Sequence, residues 1–115
     1  MTNQELYTKV RNHLLKQNAK AMLDGCAYRG EGGFKCAIGC LIPDSLYKES
    51  FEDNNVTHPS VVLAAGLYPE NLDLARDLQF VHDLYPPIEW QLKLDGVADQ
   101  YKLKVEDIHD DIQTT

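Results

Sequence analysis

Apolar residues near the N-terminus repeat at the period of a helix. Three of them fall at every fourth position: Leu6, Val10 and Leu14. This spacing puts them on one face, and it predicts an amphipathic α-helix over about residues 3–18. Thr2 and Glu5 have the separation of a capping box, in which each side chain bonds to the other residue's backbone N–H group. The pattern therefore predicts both the helix and the residue at which it begins.

The second half of the chain predicts further helices, with prolines at their boundaries. Pro59 suits the first position of a short helix over residues 61–67, because that position needs no backbone N–H group. Pro69–Asn71 opens another helix, and Pro86 and Pro87 stop it. The apolar stripe of this second helix is formed by Leu74, Leu78, Val81 and Tyr85.

The last long pattern predicts a helix over residues 88–101. Its apolar face consists of Trp90, Leu94, Val97 and Tyr101. Gly96 lies inside it and weakens the pattern, because glycine is about 1 kcal/mol less favourable than alanine in a helix interior. Val105 and Ile108 predict one further turn, and we expect the acidic tail from about residue 110 to fray.

Residues 26–38 predict a β-hairpin. Two short apolar-rich stretches, 26–29 and 34–38, flank the sequence Gly-Glu-Gly-Gly at residues 30–33. Glycine takes positive φ angles at little cost, so this stretch suits a tight turn. We expect one of its last two glycines to have a positive φ angle.

These elements together predict a mostly α fold of the α+β type. Four to five helices pack around one core, with a small β-hairpin at about residues 26–38. The alternative for residues 35–42 is a helix that places Cys36 and Cys40 on one face. The length of 115 residues predicts a single globular domain over residues 1–115.

Composition and charge limit the expected cellular location and the kinds of partner that the protein could bind. No stretch of about 18 apolar residues predicts a membrane span, and the N-terminus lacks the pattern of a signal peptide. We therefore expect a cytoplasmic protein with reduced thiols. The net charge of −7 disfavours direct binding to nucleic acid and suits a basic partner, such as a nucleic-acid-binding enzyme. Simple solubility is the competing explanation of this charge.

The three cysteines raise the alternative of a metal site. Cys26, Cys36 and Cys40 follow the spacing C-x9-C-x3-C, and a histidine would have to supply a fourth ligand. Structural zinc sites more commonly use closely spaced ligand pairs. A zinc-stapled interaction module is thus one alternative, and small thiols that fill the core are the simpler interpretation. The glycine-rich stretch matches no nucleotide-binding motif, and we predict no cofactor.

Cys36 and His82 define the enzymatic alternative, a hydrolase or transferase. A cysteine nucleophile needs a lowered thiol pKa and a nearby base, and His82 lies beside the apolar stripe of its predicted helix. The side chain of Asp83 leaves that helix about 100° around the axis from that of His82, so we do not expect it to orient the imidazole. The competing interpretation of His82 is a histidine hydrogen-bonded in the core. The sequence leaves enzymatic activity open and favours a protein without it.

Acidic and aromatic side chains near predicted loops are the candidates for contacting a partner. Acidic groups can mimic the phosphates that a basic partner binds, and aromatic rings commonly anchor interfaces. The predicted partner-binding residues are Arg29, Glu31, Tyr47, Phe51, Glu52 and Asp53. A solvated loop is the competing interpretation of the acidic ones.

The segments CAYRG and KCAIGCLIPD, which begin at Cys26 and Lys35, resemble a group of small proteins found in bacterial and phage genomes. In that group an N-terminal helix precedes the hairpin, and a later helix carries a pair like His82-Asp83. The resemblance covers about half of the chain. It implies this architecture and a phage or prophage setting, and it carries over no catalytic residue. The position of Cys40 tolerates alanine in the group, which argues against a three-cysteine site.

The sequence therefore predicts a small acidic accessory protein that acts by binding a macromolecular partner. In the setting that the resemblance implies, it would be a phage- or prophage-encoded inhibitor of a host enzyme or defence system. It would then act in the cytoplasm of the host cell, on a basic nucleic-acid-binding host protein as its partner. No direct contact with nucleic acid or membrane is predicted, and the oligomeric state stays open.

Overall fold

A computed structural model describes residues 1–105 of the chain. Within them the chain forms four α-helices: α1 (Asn3–Gln17), α2 (Pro59–Ala65), α3 (Leu72–Leu84) and α4 (Pro87–Tyr101). Short 3₁₀ turns connect α1 to α2, and another one, Pro69–Asn71, leads into α3. The further turn predicted at Val105 and Ile108 is not seen at Val105, which is not helical. Ile108 and the tail from residue 110 lie outside the described residues. None of the helices in the described part combines the length and apolar character needed to cross a bilayer.

The helices predicted from apolar spacing and proline are confirmed. The Thr2 hydroxyl accepts from the N–H of Glu5, and the Glu5 carboxylate accepts from the N–H of Thr2 at 2.8 Å, which completes the capping box of α1. Pro59 occupies the first position of α2. The last helix, α4, continues through Gly96.

Helices α1, α3 and α4 pack around one buried cluster, in which Trp90 is the largest side chain. Arg11 is buried with it, at 2% exposure. Its guanidinium donates to Asp95 at 2.8 Å and to the Tyr7 hydroxyl at 3.0 Å. That hydroxyl donates in turn to the carbonyl of Leu94 at 2.7 Å. Because a buried charge is costly without partners, these bonds fix α1 against α4.

The predicted β-hairpin at residues 26–38 is wrong, and with it the α+β fold class. Within residues 1–105 the chain forms helices and irregular segments but no strand. Two isolated bridges are present, Met22 with Cys26 and Arg29 with Lys35.

Side chains from elsewhere bind several backbone groups of this segment, in addition to the backbone bonds beside the Arg29–Lys35 bridge. Glu52 accepts from the N–H groups of Tyr28 and Arg29 at 2.8 and 3.2 Å. Gln17 accepts from the N–H of Lys35 at 2.9 Å and donates to its carbonyl at 2.8 Å. Because buried backbone groups need partners and these bonds supply them, the segment is satisfied without a strand ladder.

Glycines shape this irregular segment. Gly32 and Gly33 have φ angles of 76° and 80°, which confirms the prediction of a positive φ at this turn. Gly39 permits a close approach of the chain to itself, since a Cβ there would lie 2.3 Å from the carbonyl oxygen of Tyr28. The helix considered for residues 35–42 is reduced to one short 3₁₀ turn.

Candidate functional site

A cleft of about 380 Å³ opens between α3 and two irregular segments, residues 26–28 and 52–57. Helix α3 lines it with Arg76, Gln79, Phe80 and Asp83. The irregular segments add polar groups from Cys26, Glu52, Asn54, Asn55 and Thr57. Cationic, anionic and aromatic groups therefore share one opening.

Both ring nitrogens of His82 are used inside the protein. The backbone N–H of Ala21 donates to Nε2 at 3.0 Å, and Nδ1 lies 2.7 Å from Oδ1 of Asp83. Because Nε2 accepts, the proton of the neutral imidazole sits on Nδ1, which donates it to Asp83. The ring is fully buried and stacks on Trp90 with a centroid distance of 5.6 Å. His82 is thus a fixed core histidine that orients Asp83.

Asp83 extends this network to the cleft. Its Oδ1 accepts from Nδ1 of His82 and, at 2.9 Å, from Nε2 of Gln79. The Gln79 amide is itself fixed, since its oxygen accepts from the N–H of Ile38 at 3.1 Å. The expectation that Asp83 would not orient the imidazole is wrong. The 100° offset describes only where side chains leave a helix, and Gln79, one turn earlier, holds the carboxylate back along α3.

The thiol of Cys36 lies in the core. It is fully buried, it accepts from the N–H of Gly39 at 3.2 Å, and burial raises its pKa to about 12. A nucleophilic thiol needs the opposite shift and a free base. Because both nitrogens of His82 already have partners, the structure does not bring Cys36 and His82 together as nucleophile and base.

One group of side chains within residues 1–105 has metal-ligand chemistry. The ligand atoms of Cys26, His82 and Asp83 lie within 4.8 Å of one another. A metal on Nδ1 of His82 would require the ring proton to move to Nε2, where it would face the N–H of Ala21. Two donors would then oppose each other, so the hydrogen bonds of His82 do not fit a metal ligand here.

The cysteines of the zinc alternative lie apart. Among the described residues the three sulfurs form no group within 4.8 Å. Cys26 is exposed at the cleft, Cys36 is buried and Cys40 is half-buried. The Cys40 thiol donates to the carbonyl of Ala37 at 3.1 Å, and burial raises its pKa to about 12.

Four of the six residues predicted to bind a partner contact one another. Glu52 accepts from the Tyr47 hydroxyl at 2.5 Å. Arg29 lies 4.6 Å above the centre of the Tyr47 ring, and Phe51 packs edge-on against the same ring. Phe51 is 4% exposed, so it belongs to the core. The other two residues are exposed: Glu31 and Asp53.

The outer side of α3 and α4 carries apolar side chains that the sequence analysis did not single out. Four of them are exposed: Phe80 (46%), Leu84 (67%), Ile88 (90%) and Leu92 (70%). Within each helix the two are four residues apart and therefore adjacent on its surface. A groove of about 290 Å³ between the two helices is lined by Phe80 and Leu84 together with Tyr85, Lys93 and Val97. We call the four exposed residues and this groove the α3–α4 face. In the sequence, the signal for this face was that the four exposed residues lie off the apolar stripe that packs into the core in each helix.

Gly96 also lines this groove, and the described residues give no reason for a glycine there. A Cβ would meet no atom within 4 Å, and the φ angle is not positive. Glycine costs a helix interior about 1 kcal/mol relative to alanine. One physical use of such a glycine is the close approach of another backbone, for which the open groove leaves room.

Comparison of the chain with protein-family models, curated proteins and solved structures gave no significant match. The resemblance to small bacterial and phage proteins therefore stays a prediction. Function has to be inferred from the geometry of the cleft and of the α3–α4 face.

Proposed function

We propose that the protein acts by binding a helical segment of a protein partner on the α3–α4 face. The observation that carries this proposal is the exposure of Phe80 and Leu84 in the groove, together with two further exposed apolar side chains on α4, Ile88 and Leu92. Large apolar side chains are mostly buried in folded proteins, and a cluster of them with a polar rim is typical of an interaction surface. A groove between two helices suits the apolar stripe of a third.

Charge favours a basic partner. The two helices that form the face carry two basic residues, Arg76 and Lys93, and six acidic ones: Asp73, Asp77, Asp83, Glu89, Asp95 and Asp99. The lysine of the groove, Lys93, lies 4.5 Å above the ring of Tyr85. With a net charge of −7 for the whole chain, lysine or arginine beside the apolar stripe of a partner helix would speed association and add complementarity.

A second copy of this chain suits the face less well. Two copies bound through α3 and α4 would bring the same acidic residues towards each other, and like charges across an interface disfavour association. A basic nucleic-acid-binding host protein has the required charge. The phage setting and the inhibition of a host enzyme or defence system stay predictions.

An NMR titration tests the proposal. The probe is a synthetic helix of about 18 residues with leucine on one face and lysine on the other, and its control has glutamate in place of every lysine. We expect the lysine peptide to shift the backbone amides of residues 80–97 in a saturable way, while those of α2 stay unchanged. The glutamate peptide should not bind. Shifts spread evenly over the acidic surface, or a stable dimer of the free protein that covers this face, would contradict the proposal.

A further inference from the structure

The cleft is a second binding site, and of the residues that define the α3–α4 face it shares Phe80. We propose that it binds a small zwitterion with a basic group at one end and a carboxylate at the other, the chemical class of the free basic amino acids. Three side chains of α3 define this site: Arg76, Phe80 and Asp83. The site stands whether or not the face binds a partner.

Asp83 takes the basic end of the ligand. Its Oδ1 is held by two buried donors, His82 and Gln79, so the carboxylate is fixed before any ligand arrives. The side-chain hydrogen bonds found within residues 1–105 fall on Oδ1, and the side chain is still 31% exposed in the cleft. A fixed carboxylate with one oxygen left open is a strong acceptor for an ammonium or guanidinium group.

Arg76 takes the carboxylate end. It precedes Asp83 by seven residues, which places it about 10 Å away along the helix and on the same side. The side chain is 50% exposed, and it lies 3.4 Å from the carboxylate of Asp73, which is 84% exposed. Such an exposed pair contributes little, so the guanidinium is free to turn to a ligand carboxylate, which it can bind with two parallel hydrogen bonds.

Phe80 lies between the two charges along α3. With 46% of its surface exposed, its ring offers an apolar surface for the methylene groups that join the ends of the ligand. The amides of Asn54 and Asn55 line the other side of the cleft. An extended basic amino acid matches this order of groups, with its cation at Asp83, its methylenes on Phe80 and its carboxylate at Arg76.

Titration of the full chain with L-arginine tests the site, with two analogues as controls. L-Citrulline keeps the carboxylate and the α-ammonium group but has a neutral ureido group in place of the guanidinium, and agmatine keeps the guanidinium but lacks the carboxylate. We expect saturable amide shifts at residues 54–57 and 76–83 with a Kd of about 1 mM or tighter for L-arginine. Each analogue should bind about tenfold or more weakly, because it loses one charge-assisted contact. No saturable shift with L-arginine, or citrulline binding as tightly, would overturn the proposal.

Two variants assign the ends of the ligand. Asp83→Asn keeps an oxygen for His82 and Gln79 but replaces the open oxygen with an N–H₂ group. This variant should weaken the binding of L-arginine about tenfold and leave the binding of citrulline unchanged. Arg76→Gln should weaken the binding of L-arginine and leave that of agmatine unchanged. As a control, Leu84→Glu on the α3–α4 face should change the affinity of none of the three compounds. Equal weakening of all three compounds by either variant would overturn the assignment. A thermal melt shows whether each variant keeps its fold. If a variant does not, the relative affinities of L-arginine, citrulline and agmatine for the wild-type chain still test whether the cleft recognises both charged ends.

Discussion

The backbone N–H of Ala21 donates to Nε2 of His82 at 3.0 Å, although the two residues are 61 positions apart. This bond joins the segment after α1 to the end of α3, and it decides which ring nitrogen carries the proton. With Asp83 at the other nitrogen and Trp90 against the ring face, every polar atom of the imidazole has a partner. His82 thereby links the core to the cleft.

Replacing His82 with alanine should destabilise the fold strongly. The change removes an acceptor from Ala21 and a donor from Asp83, and it leaves a cavity beside Trp90. We expect a loss of about 2–4 kcal/mol in the free energy of unfolding, measured with urea. His58→Ala is the matched control, because that exposed imidazole accepts one capping bond from Ser60 and should cost about 1 kcal/mol or less. Equal losses in both variants would contradict the role given to His82.

The three thiols should differ in reactivity. Burial raises the pKa of Cys36 and of Cys40 to about 12, so each is thiolate in only about one molecule in 10,000 at pH 8. Cys26 is exposed, although partial burial raises its pKa too. With iodoacetamide and mass spectrometry on the native protein we expect Cys26 to be labelled first and Cys36 only after unfolding. Rapid labelling of native Cys36 would contradict its placement in the core.

His13 should make stability depend on pH. Burial lowers its pKa below the usual value of about 6.5, although its Nε2 contacts the carbonyl of Lys35 at 2.8 Å. The unfolded chain therefore binds more protons in this range, so the stabilisation is fully present above about pH 6.5 and is lost as the pH falls towards the folded-state pKa. Urea unfolding at about pH 7.5 and about pH 5.5 should show a larger loss for the wild type than for His13→Gln. Equal losses would show that His13 titrates alike in both states.

The helices could be predicted because their signals are local. Thr2 and Glu5 bond to each other across three positions, and Pro59 acts at the position it occupies. The irregular segment could not be predicted in this way. Glu52 binds the N–H groups of Tyr28 and Arg29 from more than twenty positions away, and a pattern of apolar residues carries no trace of such a bond.

The same limit applies to the cleft. His82 was recognisable as a histidine beside an apolar stripe, but its hydrogen bond to Ala21 spans 61 positions. The pairing of His82 with Cys36 was inferred from residue types alone, and folding places that thiol in the core with Gly39 as its donor. Asp83 and Phe80 became visible as parts of one cleft only when α3 was placed against residues 52–57.

Gly96→Ala should change stability and binding in opposite directions. A methyl group there meets nothing in the described residues, and alanine favours the helix by about 0.5–1 kcal/mol, so the free energy of unfolding should rise by that amount. If a partner helix approaches closely at Gly96, the methyl group should weaken the binding of the lysine–leucine peptide several-fold. Thermal melts and the peptide titration give the two values. A more stable variant with unchanged affinity would show that the partner does not approach at Gly96.

The most direct test of the α3–α4 face compares two exposed leucines. Leu84 is 67% exposed on the face and Leu63 is 83% exposed on α2, so glutamate at either position should leave the fold intact. Isothermal titration of the lysine–leucine peptide into both variants gives the answer. We predict that Leu84→Glu weakens binding about tenfold or more while Leu63→Glu keeps the wild-type affinity. Equal affinities for the two variants would contradict the claim that this face is where the protein binds its partner.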